Sequence, residues 1–407
     1  MNPFAARIRA ISDPIARVAG IDARLLAMIA VLAVIWLFFH FGTGGNFLTP
    51  RNLFNVSVQV SIVGILTCGM VLVIVSRHID ISIGSQLGFI GVCGGVLQNS
   101  ILPLEGANTW WIACLAMLSL GLLIGLIQGT LIAYFGLPSF VVTLAGLMFL
   151  RNAAWYPNNG VTVQPLNSTF LLIGGGLEGT IGAFWSWLLC IAAVACVGFF
   201  IWRSRQQRIR HGTNTRTATD DVLMFLIWSA LIAIFTWIMN AYTQPKTDIP
   251  MGIPIPVLIL IGVAVIMTAV ARQHRFGRHV YAMGGSPENA ELSGIDTRRL
   301  TLMVFVLMGF LSGLASIVLT ARLTAAANGA GLMLELYVIA AAVIGGTSLA
   351  GGVGTIYGGI LGAVIIQSLE SGMIQMNVPT PLQKMIISLV LVAAVMIDVA
   401  YRKARRA

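Results

Sequence analysis

Residues 110–134 read WWIACLAMLSLGLLIGLIQGTLIAY, without one charged side chain. Coiled at about 1.5 Å per residue, this run is long enough to cross the roughly 30 Å hydrocarbon layer of a bilayer. It has company along the whole chain. In the first half, comparable runs are Leu25–Phe41, Val56–Val75, Gly84–Leu102 and Ser139–Tyr156. In the second half they are Ala183–Trp202, Val222–Ala241, Pro254–Ala271, Leu302–Thr320, Leu336–Gly351, Gly354–Met373 and Leu382–Ala400. The expectation is an all-α, polytopic integral membrane protein with about twelve membrane segments. Of these, Leu336–Gly351 is short enough to be re-entrant or broken.

Composition agrees. Soluble domains carry about 25% charged residues, whereas this chain of 407 has 9% charged and 57% hydrophobic residues, with a mean hydropathy of +0.91. Arg7, Arg9, Arg17 and Arg24 precede the first run, and no small-x-small cleavage pattern follows it at His40–Thr43. It therefore reads as an uncleaved first span.

The net charge of +10 could suggest nucleic acid, but the placement of the cations argues for topology. With the N-terminus inside, the inner segments hold the Lys and Arg residues before Leu25, Arg77, those of 203–216 and 272–299, and those after Tyr401. Only Arg51, Arg151, Lys246, Arg322 and Lys384 fall outside or at outer helix ends. This is the positive-inside pattern, with both termini cytoplasmic. The expected layout is a cytoplasmic segment 1–24, one transmembrane domain 25–400 containing a cytoplasmic loop 272–300, and a basic tail 401–407.

Charge at membrane depth is scarce. Asp80, Glu335, Glu370 and Asp398 all lie near span ends, and Glu370 is the expected buried carboxylate. Without a chain of carboxylates and histidines, proton or sodium coupling is disfavoured. The runs instead offer neutral donors and acceptors: Thr67, Gln86, Gln128, Thr143, Asn152, Thr347, Ser348 and Gln367. Such a lining suits an uncharged polyhydroxylated solute. A candidate path takes in Asp80, Ser82, Gln128, Thr143, Asn152, Thr347 and Ser348; for each, a helix–helix or backbone hydrogen bond is the alternative. Asp80 or Ser82 is also expected to cap the following span, and Pro138 to force a tight inner turn. His78, His274 and His279 lie in or beside basic inner segments and are expected to be solvated or headgroup-facing. Cys68, Cys93, Cys114, Cys190 and Cys196 form no CxxC and read as packing residues; neither a metal nor a cofactor is expected. Gly121, Gly125 and Gly129 share one helix face, as do Gly354, Gly358 and Gly362, which points to close helix packing, with a dimer face as the alternative. The run GGTSLAGGVGTIYGG (345–359) lacks the Gly-Lys-Ser/Thr ending of a phosphate loop and suits a broken helix or hairpin. No paired carboxylates or nucleophile constellation is readable, so an enzyme is not expected.

One polar segment stands apart, AMGGSPENAELSGID at 282–296. Ser286 is a good N-cap, Pro287 suits the first helical position, Glu288 and Glu291 the early turns, and Gly294 the end. A helix of about two turns is marginal alone in water and needs support, from its own neighbours or from a partner.

RFGRHVYAMGGSPENAELSGID, HIDISIGS, GLPSFVVTLAG and AAVIGGTSLAGGVGTIYGGILGA, taken together and in order, resemble the permease subunits of bacterial ATP-binding-cassette importers for monosaccharides. The similarity runs from about Phe47 to the C-terminus. That resemblance implies two permease copies, a separate ATPase and an extracytoplasmic sugar-binding protein, in the bacterial cytoplasmic membrane. It also implies that the loop 272–300 carries a coupling helix, with Pro287, Glu288, Asn289, Ala290, Glu291, Leu292, Ser293 and Gly294 gripped by the ATPase. The resembled ribose-type permeases have about ten spans. An extra pair within 183–241, flanking a basic loop, is similar to the xylose-type branch and implies D-xylose. The binding protein is expected to dock on Asn158–Phe170 and Tyr242–Ile253. Hydrolysis must belong to the partner, because this chain has no Walker sequence. Against this stand a stand-alone secondary transporter, a membrane enzyme acting on lipid-linked sugars, and a structural scaffold.

Overall fold

The computed structural model describes residues 23–176, 178–211, 217–244 and 248–406. The expectations for the N-terminal segment up to Asp22, and for Arg216 and Lys246, lie outside these residues. Among them the chain is helical, with no strand and only isolated bridge pairs. The first helices are α1 Ala23–Gly42, α2 Pro50–Val75, α3 Ile83–Val96 with a wider π turn over Leu97–Ile101, α4 Thr109–Ala133, α5 Ser139–Ala153 and α6 Ser168–Leu172. They are followed by α7 Gly182–Arg210, α8 Ala218–Ala241, α9 Ile255–Arg272, α10 Arg275–Gly285 and α11 Pro287–Leu292. The remainder are α12 Thr297–Leu323, α13 Leu334–Ile344, α14 Ile356–Gln375 and α15 Thr380–Arg406. Each apolar run read in the sequence falls on one of them. Among the described residues, 8 helices are long and apolar enough to cross a membrane: α1, α2, α4, α7, α8, α9, α12 and α14.

Two compact units are distinguishable, residues up to Phe54 with Thr180–Pro254, and Asn55–Gly179 with Ile255 onward. In the first, α7 and α8 form an antiparallel hairpin. Thr217 caps α8 by accepting the Asp220 amide, and Asp220 returns the bond to the Thr217 amide. Asp221 lies under the guanidinium of Arg208 at 2.9 Å. At the opposite end Ser186 Oγ accepts the Ile253 amide at 2.9 Å, and Phe54 packs on Tyr242. Phe184, Trp202 and Trp237 point outward, as expected of faces solvated by lipid rather than water. Cys196 lies on such a face and is exposed, and Cys93 and Cys114 are half-buried, so only Cys68 and Cys190 are the small buried packing residues the sequence suggests.

The second unit is built around α2, whose Ile65, Leu66, Met70 and Leu72 have no exposed surface. A helix apolar on every side suits a position enclosed by other helices. Beside it, α4 crosses α12 through the glycines of the opening stretch. A methyl group on Gly121 would collide with the Gly309 carbonyl, and one on Gly125 with that of Phe305. On α14, Gly358 lies against the Gly345 carbonyl and Gly362 against that of Ala341. The first glycine face and the Gly358–Gly362 part of the second are thus used within the chain, as close packing of backbones in lipid requires, while Gly354 lies in the loop before α14. Gly125→Val is expected to force α4 from α12 at a cost of about 1–3 kcal/mol, measured as a lower unfolding temperature in detergent.

One expectation changes and another is met. Glu370 is half-buried and bonded to Tyr337, while Asp80 and Glu335 are 1% and 5% exposed. Asp80 lies in the loop before α3 and Glu335 in the first turn of α13, both enclosed by protein. The run Leu336–Gly351 is a broken segment, since α13 ends at Ile344 and an irregular loop follows to α14.

Candidate functional site

The cytoplasmic loop of the sequence reading folds as two helices joined by a kink. His274 Nδ1 accepts the Phe276 amide at 3.2 Å and starts α10. Its inward residues Gly277, Val280, Met283 and Gly284 are buried. Ser286 is extended, with φ −154° and ψ 104°, and its hydroxyl accepts the Asn289 amide to start α11 at Pro287. The end of α11 is closed by Gly294 at φ +80°. There Ile295 N–H reaches the Ala290 carbonyl at 3.0 Å and Gly294 N–H reaches Glu291 at 2.9 Å. This paired closure uses the left-handed backbone that glycine supplies. Thr297 donates to Glu291 Oε1 at 2.6 Å, and Asp296 caps α12 by accepting the Arg299 amide at 2.9 Å.

Every cap expected for α11 is therefore made. What turns α11 into a presented surface is its support. Ala290 is the buried inward residue, whereas Glu288, Asn289, Glu291 and Ser293 are exposed and Leu292 is 87% exposed. Leu292 thus stands as an apolar side chain on a helix too short to persist alone in water.

The support is Arg77, which the sequence reading used only as a topological cation. It sits just past the end of α2 with φ +66°. Its Nε donates to the Gly284 carbonyl and its Nη2 to that of Gly285, both at 2.7 Å. A guanidinium offers two N–H groups in a fixed planar fork to two neighbouring carbonyls, a geometry a lysine ammonium lacks. Gly284 must lack a side chain, for a Cβ there would strike the Val75 carbonyl. That same carbonyl accepts the Gly352 amide at 2.9 Å. Tyr281 adds a bond from its hydroxyl to the Gly354 carbonyl at 2.8 Å; burial raises its pKa, so it stays a donor. Arg272 donates to the Tyr357 hydroxyl at 2.8 Å and covers that ring. The end of α2, the α10–α11 kink and the glycine turn at 351–352 thus form one junction. His78 belongs to it too. It lies half-buried against the Phe305 ring, and burial pushes its pKa down to about 4, so it is neutral and not solvated as expected. His274 and His279 are exposed.

Of the candidate path residues, four converge. Ser82 donates to Asp80 Oδ1 at 2.6 Å and receives Nε2 of Gln86 and of Gln128 at 2.8 and 2.9 Å. Thr143, also buried, bonds to the Ile79 and Ser139 carbonyls. The cap expected here takes another form. Asp80 accepts the amide of Ser82 itself at 2.9 Å, and Ser82 makes no side-chain cap bond, because its hydroxyl is committed to Asp80 and the amides. Pro138 does begin α5, at the turn expected. Thr347 and Ser348 lie apart, buried in the loop after α13; Thr347 Oγ1 has no hydrogen-bond partner among the described residues. Asn152 is exposed and donates to the Met148 carbonyl of its own helix.

A second feature escaped the sequence reading although its signal was present. Gly84, Gly88 and Gly95 of α3 line up along the segment after α12, facing in turn Gly331, Asn328 with Ala330, and Ala326. Glycines spaced by four and seven mark one helix face, and here they admit a non-helical strand of chain.

With this geometry in hand, similarity is informative. The sequence family described as "Branched-chain amino acid transport system / permease component" matches residues 52–395. The chain belongs to this permease family. The xylose transport system permease protein of Haemophilus influenzae is 36% identical over 391 residues, covering 94% of this chain and 98% of that protein. Its Escherichia coli K12 namesake is 36% identical over 388 residues, 94% of each chain. The ribose import permease protein of Escherichia coli K12 is 30% identical over 375 residues, 92% of each. No solved structure matches. The permease is therefore a multi-pass membrane protein with a transport role rather than a catalytic one, and its conspicuous exposed helix is read in that light.

Proposed function

We propose that this permease is the membrane-spanning subunit of an ATP-driven, binding-protein-dependent sugar importer of a bacterial cytoplasmic membrane, with D-xylose as preferred substrate. Its domain 25–400 makes about twelve crossings with both termini cytoplasmic. The inserted pair lies within 183–241, the coupling loop is 272–300 and the basic tail 401–407. Two copies pair around the path, a separate ATP-binding-cassette ATPase drives them, and an extracytoplasmic sugar-binding protein delivers the solute to 158–170 and 242–253. Of the latter stretch, residues 245–247 lie outside those described.

The observation that carries this reading is α11, self-capped and solvent-facing, with Leu292 exposed and its root fixed by Arg77 to the end of a buried helix. Pro287 to Gly294 form the surface that an ATPase grips, and the junction passes the movement to α2. The neutral cluster of Ser82, Gln86 and Gln128 with Asp80 supports a polyhydroxylated solute. A zwitterionic amino acid, as the family's description has it, calls for a charged partner at each end. Asp80, Ser82, Gln128 and Thr143 are assigned to the path, with Thr347 and Ser348 nearer the junction. Asn152, turned back on its own helix, is left out of it.

The test is reconstitution in liposomes with the neighbouring genes' ATPase and sugar-binding protein. Uptake of labelled D-xylose is expected only with ATP and both partners, and labelled leucine is not taken up. Xylose entry through the permease alone would mean a facilitator.

A further inference from the structure

The chain between α12 and α14 crosses the second unit in two unlike halves. Thr324, at φ +54°, ends α12, and the backbone then descends beside α3. Ala326 stands at Gly95, Asn328 and Ala330 at Gly88, and Gly331 at Gly84. Those α3 residues span about 16 Å, half a hydrocarbon layer. At Leu334 the chain becomes helical, and the eleven residues of α13 cover about the other 16 Å. The joint is marked by Glu335, 5% exposed, whose Oε2 meets Gly84 and has no hydrogen-bond partner among the described residues.

Both ends of this crossing are tied. At the outer end Val163 and Ala326 exchange backbone hydrogen bonds of 2.9 and 3.0 Å. Asn158 Nδ2 donates to Asn328 Oδ1 at 2.8 Å, and Arg151 Nη1 to the carbonyls of Asn328 and Ala330 at 3.3 and 3.2 Å. At the inner end Gly352 is bonded to Val75, the Gly354 carbonyl to Tyr281, and Gly351 packs on the Arg77 side chain. Along its length α13 lies backbone to backbone against α14 through Gly345 and Gly362.

We propose that residues 324–355 are the element that carries the state of the outer docking loop to the coupling helix. This rests on the importer reading. The binding protein acts on 158–163, and the ties at Ala326 and Asn328 transmit that contact. The lower half then shifts the Gly351–Gly352 turn against Arg77 and the α10–α11 kink. A run of turns resting on the glycines of α3 can slide, where two interlocked helices would not. Arg151 and Asn328 are positioning residues in this scheme, since neither needs to touch the solute.

The experiment weakens the outer ties and restores them covalently in the same protein. Asn328→Ala and Arg151→Gln remove the side-chain ties, and Val163→Cys with Ala326→Cys provide a replacement. A hydrogen-bonded antiparallel pair holds its Cα atoms about 5.5 Å apart, within disulfide range. The fourfold variant is assembled with its ATPase in lipid nanodiscs. Hydrolysis is measured with and without xylose-loaded binding protein, after oxidation and after dithiothreitol.

Stimulation by the binding protein is expected to fall about tenfold in the reduced form, a usual size for coupling between sites. It should return to near the parent level on oxidation. Full stimulation in the reduced form, or none regained in the oxidised form, overturns the proposal. A parent transporter that is not stimulated at all overturns the importer reading instead.

Discussion

Replacing Leu292 with aspartate is expected to stop D-xylose uptake and to prevent the ATPase from copurifying with the permease. Burying a leucine side chain at an interface contributes about 1.5–3 kcal/mol. A carboxylate in its place must also be desolvated without a partner, which adds a further penalty. Together these exceed about 2.8 kcal/mol, a hundredfold loss of affinity. The fold should not notice: Leu292 is 87% exposed, and exposed substitutions usually change stability by no more than about 0.5 kcal/mol. Leu292→Met, of similar volume, should behave as the parent. Undiminished copurification and uptake in Leu292→Asp would place the ATPase contact elsewhere. Glu288 is the cleaner charged position for a companion test. Glu291 is bonded to Thr297, so its replacement would disturb the link into α12 as well as the exposed face.

The second large effect concerns Arg77. Glycine is the informative replacement, because it suits a φ of +66° and so removes the fork without adding backbone strain. Two charge-assisted bonds to Gly284 and Gly285 are lost, each worth about 1.5–3 kcal/mol. The helix α11 keeps its own caps and its exposed face, so the ATPase should still bind. Its movement, however, no longer reaches α2. Uptake should drop about 10- to 100-fold while ATP hydrolysis persists, and Arg77→Lys should fall between because an ammonium lacks the pre-organised planar fork. Equal losses of uptake and ATPase binding in Arg77→Gly would instead mean that the fork serves only to fold the kink.

These two substitutions separate what was legible in the sequence from what was not. The two-turn helix and each of its caps could be read from SPENAELSG, because capping depends on residues three to five positions apart. The apolar runs were equally plain, since their length answers to bilayer thickness alone. Gly121, Gly125 and Gly129 gave a packing face correctly, though not its partner on α12. Arg77 could not be recognised as a clamp. Its partners are carbonyls more than two hundred positions away, and a carbonyl has no sequence signature. The cluster around Ser82 was half-legible: its members were named as polar groups in apolar runs, but their convergence, and the separation of Asn152 and Thr347, depend on how the helices rotate. Glu370 and His78 were misjudged for the same reason, because enclosure depends on neighbours contributed by other helices.

By itself, then, the sequence determined that this chain is a helical membrane protein, roughly where its apolar helices lie, and that a capped polar helix interrupts it. These are consequences of solvent and of local hydrogen bonding. Only the tertiary structure decided that the run after Thr324 is first a series of turns and then helical, that glycines of α3 make room for it, and that Arg77 ties the end of α10, where α11 begins, to α2. Those facts depend on backbone atoms meeting across long separations, where any residue offers the same carbonyl and the fold alone selects which one is used.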